Sequence, residues 1–237
     1  KIERRTGTVL FRQDVNDRED VGGTVTRTAT LGYGLPTTWV RQSPTAFAAL
    51  LAAHGLGMTV IELPDLTTGQ PPPWAATRAF LDAMRARSIW VHVFVVNWNA
   101  TPGTCPTPDT VGEWARRLAE LGTSGVSIEV AEPRESDVPS ILAARAEWPG
   151  RFAVNWGFPG STTVPFDLRS IHECGPPPWT RRGADILHVT DCRSSLTANA
   201  RAIARWTKDT GGDAGAIVYD WMSPAPDLAV LQELRDG

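Results

Sequence analysis

WAATRAFLDAMRARSIWVHVFVVN, residues 74–97, carries the pattern on which the fold turns. An amphipathic helical stretch, 74–87, runs into Ile89–Asn97, a short apolar strand rich in Val and Ile. That order, helix then buried strand, is what repeated βα units around a parallel sheet produce. The alternation continues in both directions. Upstream, helix 45–55 (TAFAALLAAHG) ends in Gly and leads to strand Met58–Leu63. Downstream, helix 110–121 leads to Val126–Val130, and helix 137–147 to Phe152–Trp156. After a long Pro-rich loop, strand Asp185–Thr190 leads to helix 195–209, strand Ala216–Asp220 and a last helix near 226–235. Six strands are thus expected after residue 57.

Residues 1–44 read as an irregular N-terminal segment with two further strand candidates, Thr8–Val15 (TVLFRQDV) and Thr24–Leu31 (TVTRTATL). Either or both complete a closed barrel, so the expected fold class is α/β, a (β/α)8 TIM-like barrel, seven-stranded or distorted if only one joins. The rival is an open doubly wound sheet, but the glycine-rich turn it often carries after its first strand is absent. The 237 residues suit one domain spanning 1–237, since such barrels commonly run to about 250 residues. Two internal echoes support repetition: Val96-Asn97-Trp98 matches Val154-Asn155-Trp156, and PPPW occurs at 71–74 and 176–179.

Composition narrows the function classes. Acidic and basic side chains, 26 and 23, are spread along the chain with a net charge of -3, so there is no basic stripe for nucleic acid. No stretch approaches the roughly 18 apolar residues of a membrane span. The first residue is Lys rather than Met, which reads as a chain processed or excised from something longer. Cys105, Cys174 and Cys192 lack CxxC spacing, which argues against a structural zinc knuckle; one disulfide and one free thiol would suit an extracellular or secreted protein, the favoured reading, and three reduced thiols a cytosolic one. No cofactor is expected.

In a parallel barrel, ligands meet residues at the C-terminal ends of the strands. Those ends carry Glu62, Asn97, Glu129, Asn155, His188, Asp191 and Asp220. Because neighbours two apart share a face, Val126, Ile128 and Val130 facing the helices would turn Ser127 and Glu129 inward. The same rule places Glu62 inward beside Val60, Asp220 inward with Val218, and Asn97 and Asn155 inward on the two VNW strands. A buried carboxylate costs several kcal/mol unless paired, hydrated or used, so Glu129 and Glu62 are either functional or neutralised by arginines such as Arg12. His92, within WVHVFVV, is expected under the helices, and His54 at a helix C-terminus that favours its charge. Trp74, Trp98, Trp156, Trp179 and Trp221 all follow strands, where indole faces stack on sugar rings, which makes carbohydrate the expected ligand.

Glu129 with Asp220 meets the minimum of two carboxylates for glycoside cleavage, Glu129 as acid/base and Asp220 as nucleophile or base. Asn97, Trp98, Asn155, Trp156, Trp221, Glu62, His188 and Asp191 would bind the sugar. This layout resembles the (β/α)8 glycoside hydrolases with an acid on the fourth strand and a nucleophile on the seventh. Their Asn-Glu pair is Ile128-Glu129 here, and Asp220 stands where Glu is usual. A second likeness competes. Val60-Ile61-Glu62-Leu63, Ser127-Ile128-Glu129-Val130 and Gly215–Asp220 resemble the glycerophosphodiester phosphodiesterases, a resemblance that implies a metal held by Glu62 and Glu129. The family's two histidines are missing, the first site falling near Gly32-Tyr33-Gly34. A metal-dependent phosphodiesterase-like or sugar-isomerase-like barrel is therefore the alternative, using Glu62, Glu129, His188 and Asp191 or Asp220. A non-catalytic carbohydrate-binding or structural module of a larger protein is the third reading.

Overall fold

The computed structural model describes residues 31–34, 43–64, 70–97, 106–131, 137–155, 164–174, 185–190, 195–209, 215–220 and 225–237, with backbone alone at 96, 97, 131, 174, 190, 208 and 209. Eight parallel strands close into a barrel in chain order: β1 (Leu31–Gly34), β2 (Met58–Glu62), β3 (Trp90–Asn97), β4 (Val126–Ala131), β5 (Arg151–Asn155), β6 (Leu168–Cys174), β7 (Ile186–Thr190) and β8 (Gly215–Tyr219). β1 pairs with both β2 and β8 and seals the ring. Six helices are described: α1 (Pro44–Ala53), α2 (Trp74–Arg85), α3 (Pro108–Glu120), α4 (Val138–Glu147), α5 (Leu196–Asp209) and α6 (Leu228–Asp236).

Each helix buries one stripe. On α2 the buried residues are Thr77, Phe80, Leu81 and Met84, spaced by three, one and three, so they share one face. α3 starts at Pro108, where a missing N–H costs nothing, and the Thr107 hydroxyl accepts from the Thr110 amide. At α6 the Asp227 carboxylate accepts from the amides of Ala229 and Val230. These stripes pack on the outward side chains of the strands, among them Ile61, Val93, Ile128, Val154, Leu187 and Val218, in one continuous shell. A second, inner cluster fills the barrel: Met58, Val60, Trp90, Phe94, Ala153, Leu168, Ile186, Ile217 and Tyr219.

Two strands differ from the sequence reading. β1 is LGYG, starting on the last residue of the candidate Thr24–Leu31, and the candidate segments within residues 1–30 lie outside the described residues. Its glycines are required by space: a Cβ on Gly32 would sit 2.7 Å from the Met58 Cβ, and one on Gly34 would meet the side chains of Val60 and Tyr219. β6, LRSIHEC, arises within the stretch read as a Pro-rich loop, and raises the strands after residue 57 from six to seven. The other six strands begin and end within one residue of expectation. Among the described residues no helix is long and apolar enough to cross a membrane.

Candidate functional site

Glu129 occupies the middle of β4 with its side chain inside the barrel and 0% exposed. Ser127 points the same way two residues earlier, as the apolar alternation of Val126, Ile128 and Val130 requires. Strands on both sides supply the partners. From β3, His92 Nε2 lies 2.9 Å from Glu129 Oε2, and its Nδ1 lies 2.7 Å from Ser127 Oγ. The Trp90 indole N–H donates to the same Ser127 oxygen at 2.9 Å. Ser127 accepts from Trp90, and because an ionised carboxylate can only accept, His92 Nε2 facing Glu129 carries a proton. From β6, the Ser170 hydroxyl donates to Glu129 Oε1 at 2.7 Å, and His172 Nε2 stands 3.2 Å from the same oxygen.

β6 reaches Glu129 across β5 because the intervening residue is small. Ala153 is the β5 partner of Glu129 in the strand register and faces the interior. His188, from β7, completes the group: its ring centroid is 4.7 Å from that of His172 and 5.1 Å from that of His92. Phe94 packs against all three imidazoles at 5.2–5.4 Å. Three of the four histidines in the sequence therefore converge on one carboxylate.

Charge within this group follows its surroundings. Burial pushes the Glu129 carboxyl up, but the His172 charge and the contacts from His172 and His92 outweigh it and hold Glu129 below the usual carboxylate range. His188 moves well below the ordinary imidazole value, first because it is buried and then because His172 and His92 repel a further charge. Among the described residues neither of its ring nitrogens has a hydrogen-bond partner, a defect that costs about 1–3 kcal/mol in a protein interior. Glu62, at the end of β2 and also buried, neighbours Tyr219, whose phenol is pushed well above its usual value by burial and by the Glu62 charge. His172, with 13% of its side chain exposed, and half-buried Asn155 lie nearer solvent than Glu129.

The structure corrects three placements. His92 faces the interior with Trp90 and Phe94, not the helices; WVHVFVV is apolar on both faces, and the Ser127 and Glu129 acceptors decide which way it turns. Asp220 lies on the helix side with Val218, where it accepts a 2.9 Å hydrogen bond from the Tyr33 hydroxyl, and Tyr33 in turn accepts from the Asp227 amide at 3.0 Å. The reason is volume: Gly32 and Gly34 leave interior room on the neighbouring strand that Ile217 and Tyr219 fill, so Val218 and Asp220 turn outward. Trp74 opens α2 on the outside of the barrel, with the Arg117 guanidinium 5.8 Å from its ring, and does not join the mouth.

Glu62 and Glu129 lie inside as read, His188 joins them there, and Asn155 shares the interior face of Ala153. His54 caps α1, its Nδ1 2.9 Å from the Leu50 carbonyl oxygen. Asn97 ends β3 beyond a register shift between Phe94 and Val96, and its side chain is outside the described residues, as are Arg12, Trp98, Trp156, Trp179, Asp191, Trp221, Cys105, Cys192 and the Cys174 thiol. Sequence reasoning missed Ser170 and His172 with β6 itself. The stretch carries no alternating apolar signal, since its apolar residues Leu168 and Ile171 are three apart and prolines flank it.

No family model matches the chain, and no curated protein does. Solved structures do. The catalytic domain of a mannanase from Streptomyces sp. SirexAA-E superposes with a TM-score of 0.60 at 13% identity, covering 88% of this chain and 86% of that one. A Thermomonospora fusca β-mannanase in complex with mannotriose gives 0.58 at 15% identity, over 86% and 82%. Tryptophan synthase from M. tuberculosis gives 0.50 at 14% identity, over 89% of each chain. At such identities the likeness is one of fold, and fold alone hosts many chemistries. The chain is a (β/α)8 barrel built on the same plan as the bacterial β-mannanases.

Proposed function

We infer that this barrel binds and cleaves a carbohydrate at the C-terminal mouth of its strands. Glu129 carries the reading. A carboxylate placed inside a barrel costs several kcal/mol of desolvation, and the interior meets that cost with donors from β3 and β6. A barrel that only needed to be full would use apolar side chains there. The mannanase-like fold supports a sugar as the ligand.

In this reading Glu129 orients His172, which extends towards the mouth and passes a proton to the leaving glycosidic oxygen. The second carboxylate is Glu62 rather than Asp220, because Glu62 shares the interior with Glu129 whereas Asp220 is bonded to Tyr33 outside it. Glu62 takes the proton of the water whose oxygen joins the anomeric carbon as the glycosidic bond breaks. Asn155, on the interior face of β5, holds the sugar in this reading, while Asn97, Asp191, Trp98, Trp156 and Trp221, read from the sequence as further sugar ligands, have side chains outside the described residues.

The test is hydrolysis of manno-oligosaccharides and a panel of other β- and α-linked oligosaccharides, followed by release of reducing ends. Wild type is expected to turn over at least one, and Glu129→Gln and His172→Phe to lose about 10²–10⁴-fold in kcat while keeping the far-UV spectrum of the parent. Binding of a sugar with no turnover by the wild type would instead make this a carbohydrate-binding module.

A further inference from the structure

We propose that the interior of the barrel holds one divalent transition-metal ion, with His92, Glu129 and His188 as its protein ligands. One ring nitrogen from each histidine and one carboxylate oxygen of Glu129 lie within 4.8 Å of one another, and all three side chains are buried. Metal bonds of about 2.0–2.2 Å place neighbouring ligand atoms roughly 3.4 Å apart, so closing the site takes only small side-chain rotations. The ligands come from three separate strands, β3, β4 and β7, whose backbones the ring fixes.

His188 is the observation that singles out a ligand. Its two ring nitrogens are buried at 1% exposure and reach no hydrogen-bond partner among the described residues, while Ser127, Ser170 and the other two histidines are engaged with Glu129 or with one another. An imidazole kept in a barrel interior with nothing to bond is suited to a cation. Two imidazoles and one carboxylate form a borderline donor set that favours zinc-class ions over Mg²⁺ or Ca²⁺, which seek oxygen shells. Glu129 meets both demands on it because its oxygens are already divided: Oε1 faces Ser170 and His172, and Oε2 faces His92. An ion replacing the His92–Glu129 hydrogen bond leaves the Oε1 contacts in place. The site lies deeper than His172 and does not depend on what the mouth binds.

The experiment uses the full chain, stripped with a chelator and dialysed, then titrated with ZnCl₂, MgCl₂ or CaCl₂. Expected are one tightly bound zinc per chain, a higher thermal midpoint with zinc alone, and perturbed imidazole ¹⁵N resonances for His92 and His188 but not His54. His188→Leu, which replaces the unpartnered imidazole with an apolar side chain, is expected to fold and to lose at least the ~10–100-fold in zinc affinity that removal of even a supporting contact costs. Zinc that leaves the His92 and His188 resonances unmoved in the wild type overturns the proposal, as does His188→Leu binding zinc like its parent. The imidazole spectrum decides the matter if that variant fails to fold. None of these readouts involves sugar turnover, so failure of the glycoside reading leaves the result interpretable.

Discussion

The β3–β4–β6 side of the barrel and the β8–β1 seam each bury a carboxylate almost completely, and they treat it in opposite ways. Glu129 sits inside among two imidazoles and a serine and is held ionised. Asp220 sits outside the strands against a phenol, Tyr33, whose own proton burial makes harder to lose. Equal burial therefore says little about chemistry. The side chains on adjacent strands decide whether a buried acid is ringed by imidazoles and hydroxyls inside the barrel or tied to a phenol on its helix side.

The contrast is breakable by mutation. Glu129→Ala leaves His92, Ser170 and His172 facing an uncompensated void, and is expected to cost about 3–5 kcal/mol in urea unfolding. At the seam, Gly34→Ala forces a methyl group against Val60 and Tyr219, and an overpacking loss of about 1–3 kcal/mol is expected from the same measurement. Tyr33→Phe strips a donor from Asp220 and an acceptor from the Asp227 amide, with an expected loss of about 1–3 kcal/mol and no change in metal binding.

Acid titration of the metal-free protein separates the two regions further. His188 has a folded pKa depressed below its unfolded value of about 6.5, so its contribution is fully present above that pH and is lost progressively as the pH falls from there towards the folded value. Glu129 is depressed as well, so its contribution holds above about 4.3 and is lost below it. Stability should fall by up to about 1.4 kcal/mol per pH unit per group across these windows. Urea melts at pH 7.5, 6 and 5 should show His188→Leu losing the upper part of that slope, and Tyr33→Phe retaining it.

Legibility in the sequence followed how lopsided each strand was. β4 was readable to the side chain because Val126, Ile128 and Val130 are apolar and Ser127 and Glu129 are not, so one face had to be the helix side. Glu62 was readable for a similar reason. WVHVFVV and GAIVYD are apolar on both faces, and period alone could not orient His92 or Asp220; the glycines of β1 and the acceptors on β4 did. β1 and β6 were obscure for opposite reasons. LGYG is too short and glycine-rich to score as a strand, while LRSIHEC carries an interior face polar enough to read as loop, and that polarity is what brings Ser170 and His172 to Glu129.

The lone methyl group of Ala153 has a consequence for how such an interior can change. It acts as a window through which strand six touches strand four over the head of strand five. A valine or leucine in that frame would shutter it, dividing one shared pool of charge into two rooms, His92 with Glu129 on one side and His172 with His188 on the other. The width of a single small residue thus sets how many strands can bond to the same carboxylate.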